Sequence, residues 1–111
     1  MFRKEINPFS VSDRVRFRNI DRTLDLEVKA QASSIVLGIK RAQDRLSLMN
    51  DQSSNEDRLE SARVFAEVIF GKEQAEKLIA FYENDALAVI NACGMYFSQR
   101  LAKIITKAQK R

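Results

Sequence analysis

At 111 residues the chain has room for one domain with a modest core and too little for two. Its 45% hydrophobic content argues against disorder by composition, and nineteen Lys and Arg against fifteen Asp and Glu leave a dispersed +4, short of the concentrated patch of a dedicated nucleic-acid binder. There is no histidine, which removes the usual general base, metal ligand and activator of a Ser or Cys nucleophile.

Residues 1–12 read as an extended arm, either laid on the single domain formed by residues 13–111 or ordered only on assembly. The arm holds the only proline, Pro8, among the isolated apolar residues Phe2, Ile6, Phe9 and Val11. From Asp13 the period becomes two. Val15 and Phe17 alternate with Arg14, Arg16 and Arg18, and Leu24, Leu26 and Val28 alternate with Asp25, Glu27 and Lys29. This predicts a hairpin over residues 13–30 with one buried face. A turn centred on Asp21-Arg22 sets Val15 opposite Val28 and Phe17 opposite Leu26, with Arg16 meeting Glu27 and Arg18 meeting Asp25 on the outer face. The turn lacks Asn-Gly, so a looser four-residue loop is also compatible. The arginines suit a nucleic-acid groove or, more commonly, solvated ion pairs across the strands.

A first helix is predicted over residues 33–49, with Ile35, Ile39, Ala42, Leu46 and Met49 on one face and Gly38 beside it, where two elements can approach closely. A polar loop follows. Ser53 and Glu56 form a capping-box spacing for a second helix over residues 54–70, whose apolar face carries Leu59, Ala62, Phe65, Ala66 and Ile69. Gly71 ends it, and a short helix over residues 72–82 places Ala75, Leu78, Ile79 and Tyr82 together.

The last helix, residues 85–109, is capped by Asn84 or Asp85. It carries a seam of Leu87, Ile90, Gly94, Phe97, Leu101, Ile104 and Ala108. A second stripe of Ala86, Val89, Cys93 and Tyr96 gives way to Arg100, Lys103 and Lys107. Packing within the domain accounts for the half before Tyr96. The half after it is expected to overhang and to need a partner, a copy of itself or another assembly protein. The candidate partner-binding residues are therefore Val89, Tyr96, Phe97, Arg100, Leu101, Lys103, Ile104 and Ile105. Lys107, Lys110 and Arg111 complement the helix dipole. The expected fold is mainly α, an N-terminal β-hairpin packed on about four helices with a long C-terminal one.

Little chemistry is legible. Cys93 is the only cysteine and sits in an apolar stripe, and phosphate-binding, zinc and nucleophile-elbow motifs are lacking. The acidic group Asp51, Glu56, Asp57 and Glu60 lies at a helix start, where negative charge favours the dipole. No catalytic residue, metal ligand or cofactor is assigned, and an enzyme is not expected. Neither a membrane-spanning run nor a secretory signal is recognised, so an intracellular chain is expected.

The stretch Ile69-Phe70-Gly71-Lys72-Glu73-Gln74-Ala75-Glu76-Lys77-Leu78, followed by Phe81-Tyr82 and Asp85-Ala86-Leu87-Ala88-Val89-Ile90, resembles phage tail assembly chaperones. The resemblance covers Leu59 to Arg111. It implies a small, mostly helical, non-enzymatic protein of long-tailed phages (siphoviruses). Such proteins coat the tape measure protein in the bacterial host's cytoplasm until tail-tube subunits polymerise around it. They tend to self-associate, and some are also made in a frameshifted longer form. The family has no catalytic residues to carry over. Two alternatives stand beside it: a small DNA-binding regulator reading a groove with Arg14, Arg16 and Arg18, and a structural head–tail connector subunit.

Overall fold

The computed structural model describes residues 10–109; residues 1–9 of the expected arm and the terminal cations Lys110 and Arg111 lie outside the described residues, and residues 10–12 of that arm belong to a strand. Strands β1 (Ser10–Asn19) and β2 (Arg22–Gln31) form an antiparallel hairpin. Helices α1 (Ala32–Ser47), α2 (Asn55–Phe70) and α3 (Lys72–Phe81) follow. A continuous helical run of 24 residues closes the chain: α4 (Ala86–Tyr96), a π-helical turn (Phe97–Leu101) and α5 (Ala102–Gln109). The fold is thus mainly α, with an N-terminal hairpin and four helices, the last one long. Helix α2 is central and packs on α1, α3 and α4, while α5 reaches back to β1 and α1.

The hairpin begins at Ser10, three residues before the sequence pattern indicates. Val11, Asp13, Val15 and Phe17 share the inner face of β1, and the carboxylate of Asp13 hides that continuation in the sequence. The pairing is offset by two residues from the expected register. Val15 lies opposite Leu26, Phe17 opposite Leu24, and Arg16 opposite Asp25, because the loop is the two-residue Ile20-Asp21. An even offset keeps every side chain on its expected face.

Ile20 adopts φ +58°, a left-handed conformation that costs a β-branched residue energy. Docking against α3 holds the tip in place. Asn19 Nδ2 (2.9 Å) and Arg22 Nη2 (2.7 Å) donate to the Phe81 carbonyl, one of the last of α3. The Arg22 guanidinium also sits 5.3 Å from the Phe81 ring centroid. Tyr82 donates its hydroxyl to the Arg18 carbonyl at 3.1 Å. The register is therefore set by tertiary contacts, which turn chemistry alone does not reveal.

Helix α2 is capped one residue later than its capping-box spacing suggests. Ser54 Oγ accepts the Asp57 N–H at 3.0 Å, while Ser53 Oγ accepts the Asn50 N–H and closes the preceding loop. Gly71, at φ +83° and ψ 167°, ends α2 and starts α3, a conformation open almost only to glycine. Gly38 lets α1 settle on α2: a Cβ there would lie 2.6 Å from a Val68 methyl. The α3 terminus is a Schellman motif, with the Asn84 N–H on the Ile79 carbonyl, the Glu83 N–H on the Ala80 carbonyl, and Glu83 at φ +57°. Asp85 then caps α4 by accepting the Ala88 N–H at 3.1 Å.

Phe17, Phe70 and Tyr96 join hairpin, α2 and α4 at the heart of the core. Their ring centroids are 5.6 to 6.3 Å apart. Edge-on contacts of Phe17 with both other rings match the electrostatic preference of aromatic pairs.

Candidate interaction surface

Along α4 the buried stripe is Val89, Cys93 and Tyr96. A regular α-helix would next bury position 100, three or four residues on. That residue is an arginine. The π-helical turn takes up one extra residue, so Leu101 enters the core and Arg100 turns out. The buried stripe then continues through Ile105 and Ala108, which α5 lays against β1 and α1.

This reverses the expected division of the helix. Leu101, Ile105 and Ala108 are buried within the chain and do not overhang, because β1 begins early enough to underlie α5. Val89 and Tyr96 are likewise enclosed, so four of the candidate partner residues (Val89, Tyr96, Leu101 and Ile105) have no surface to offer. Phe97 and Ile104 are half-buried at the core margin, and Arg100 and Lys103 are exposed.

Arg100 has a partner inside the chain. Its Nε and Nη2 both reach the Asp13 carboxylate at 2.7 Å, and the Tyr96 hydroxyl donates to the same group at 2.6 Å. The Asp13 side chain is only 7% exposed. Bonding to the Arg100 guanidinium holds its carboxyl below the usual range, and burial with the adjacent carboxylate pushes the Tyr96 phenol well up. The group is a latch between hairpin and last helix. Periodicity does not reveal it; its one sign in the sequence is an acid, Asp13, interrupting the apolar alternation of Val11, Val15 and Phe17.

The exposed side of α4 lies opposite the buried stripe. Leu87, Asn91, Gly94 and Ser98 follow one another at spacings of four, three and four, with Ala88 and Met95 flanking them. Leu87 is 67% and Met95 57% exposed, and a Cβ on Gly94 would meet nothing within 4 Å. No charged residue occurs from Ala86 to Gln99. A helix apolar nearly all round is normally buried on all sides, and this one is covered on only one. Below its first turn, Leu46, Met49, Ala86 and Ile90 line an open groove of about 330 Å³ that continues the face.

Elsewhere Ile20, Leu37 and Leu48 are exposed singly or in pairs, and many of the surface charges are paired. Arg16 makes a bidentate pair with Asp25 (2.7 and 3.2 Å), Arg14 lies 3.7 Å from Glu27, and Arg63 joins Glu60 and Glu76. Burial pushes the Cys93 thiol up to about 12, the opposite of an activated nucleophile. Among the described residues no group of three His, Cys, Asp or Glu could hold a metal, and no helix is long and apolar enough to cross a membrane. Comparison with protein-family models, curated proteins and solved structures gives no match.

Proposed function

We propose that the chain is a non-enzymatic assembly chaperone of phage tail morphogenesis, acting in the cytoplasm of the bacterial host. Its α4 face docks an apolar helical stretch of the tape measure protein. The observation that carries this reading is the uncharged face Leu87-Asn91-Gly94-Ser98, exposed but for half-buried Gly94, on a helix otherwise apolar all round. Small residues at Ala88 and Gly94 let another helix approach closely, and Leu87 and Met95 supply the apolar contact. In the absence of client the same face suits a second copy, since it carries no charge to repel itself. A longer frameshifted form would keep this face, which lies before the C-terminus.

The DNA-binding alternative is weakened by the ion pairs of Arg14 with Glu27 and Arg16 with Asp25, which engage two of the three arginines it would use. A head–tail connector subunit would use the same kind of surface, and a stable ring in micrographs would mark it. The test is co-expression with the tape measure protein of the same phage. Client that becomes soluble and co-purifies with this chain supports the reading. Client equally soluble without the chain, and never bound to it, overturns it.

A further inference from the structure

A two-stranded sheet has two open edges, and on the β2 edge this chain occupies the main-chain groups of Glu27. The Gln74 side-chain amide docks on β2 as a peptide group would: its Oε1 accepts the Glu27 N–H at 2.9 Å and its Nε2 donates to the Glu27 carbonyl at 2.7 Å. The main-chain groups of Glu27 therefore point away from β1. Antiparallel pairing alternates, so Arg14 opposite Glu27, Arg16 opposite Asp25 and Arg18 opposite Thr23 turn their own main-chain groups away from β2. On this second edge the Arg18 carbonyl takes the Tyr82 hydroxyl, and the Asp13 carboxylate lies beside the Arg14 N–H. The Arg16 N–H and carbonyl meet no hydrogen-bonding group among the described residues.

The open edge borders a groove of about 430 Å³ between β1 and α4. Val15, Phe17, Tyr82, Ala92 and Met95 contribute to its apolar side, and Gln99 stands at its rim. Arg14, Arg16 and Arg18 line the strand's outer face at every second position. We propose that this edge binds an extended segment of a partner protein in which Asp or Glu alternates with apolar residues. The main chain of that segment pairs with Arg16, its apolar side chains enter the groove, and its carboxylates face the arginines. Strand β2 already satisfies the opposite edge with this pattern, placing Asp25 and Glu27 beside Arg16 and Arg14. A second copy is a poor occupant, because two β1 edges would set arginine against arginine. The site adjoins the Leu87-Asn91 face at Met95, which borders both, and does not depend on the identity of the client bound there.

The experiment uses the whole chain and two capped peptides, Thr-Val-Asp-Val-Glu-Val-Thr and the same peptide with Lys at both acidic positions. The acidic peptide is expected to bind saturably, to weaken with salt and to slow amide exchange at Arg16 about tenfold or more. Arg16→Pro removes the outward N–H without breaking a rung of the hairpin and is expected to weaken binding about tenfold. Unchanged exchange at Arg16, or equal binding of the Lys peptide, overturns the proposal. If Arg16→Pro does not fold, exchange in the unaltered chain decides alone.

Discussion

Tyr96 and Leu101 lie five residues apart in one helical run and face the same core, and the π-helical turn between them makes this possible. In a regular α-helix that spacing would carry Leu101 well around from Tyr96 and put Arg100 inside. The turn instead sends Arg100 to Asp13, fastening the last helix to the first strand. π-helical turns inside α-helices are uncommon and tend to mark places where geometry matters more than regularity.

Leu101 is 0% exposed, so replacing it is a core mutation. Leu101→Ala is expected to cost about 2–5 kcal/mol, read as a drop in the urea midpoint with little change in slope. If the change leaves stability intact and alters only association, the buried placement of this helix is wrong.

The Asp13 latch gives a pH dependence of definite sign. Its carboxyl is held below the unfolded value of 3.8, chiefly by the Arg100 guanidinium. The stabilisation it supplies is complete above about pH 4 and lost as pH falls through the folded-state value. Urea unfolding of the chain and of Asp13→Asn should therefore differ near neutrality and converge in acid. A stability gap that does not change between neutral and strongly acidic solution would contradict the assignment. Tyr96→Phe keeps the ring and loses one bond to the carboxylate, an expected cost of about 1 kcal/mol.

Glu83 occupies the left-handed position that ends α3, where glycine is the favoured residue. Its ion pair with Arg22 is long, 3.7 Å, and exposed. Glu83→Gly should raise stability by about 0.5–1 kcal/mol, measured by thermal or urea unfolding. A loss of stability would mean that the hairpin tip depends on this side chain.

Much of the architecture is legible in the sequence, because apolar periodicity reports burial directly. Ile35, Ile39 and Ala42 on α1, and Ala62, Phe65, Ala66 and Ile69 on α2, are buried as their spacing indicates. The hairpin faces are also right, while its register is not, since Asn19 and Arg22 bond to Phe81, more than fifty residues away. The last helix misleads for a related reason. Its 3-4 seam from Leu87 to Ala108 assumes an unbroken α-helix, and the π-helical turn divides it: Leu87 is exposed and Ile90, Gly94 and Phe97 are half-buried up to its start, while Leu101 and Ala108 are buried from its end onward. The lack of charge from Ala86 to Gln99 was the better guide to the surface, because solvated helix faces normally carry charge.

Gly94 separates folding from binding. A Cβ there meets no neighbour, so Gly94→Ala should stabilise the helix by about 1 kcal/mol while obstructing close approach of another helix. A chain that melts higher yet associates less is the expected outcome, and equal association would show that nothing packs closely against this position.

The most direct measurement is the mass of the chain in solution by light scattering across a concentration series, beside Leu87→Glu/Asn91→Glu. Both residues are exposed, so the double variant is expected to fold and melt like the unaltered chain. If α4 carries an interaction surface, the mass of the unaltered chain rises above 12.7 kDa with concentration and that of the variant stays there. A mass of 12.7 kDa for the unaltered chain at every concentration, or the same rise in both, would contradict it.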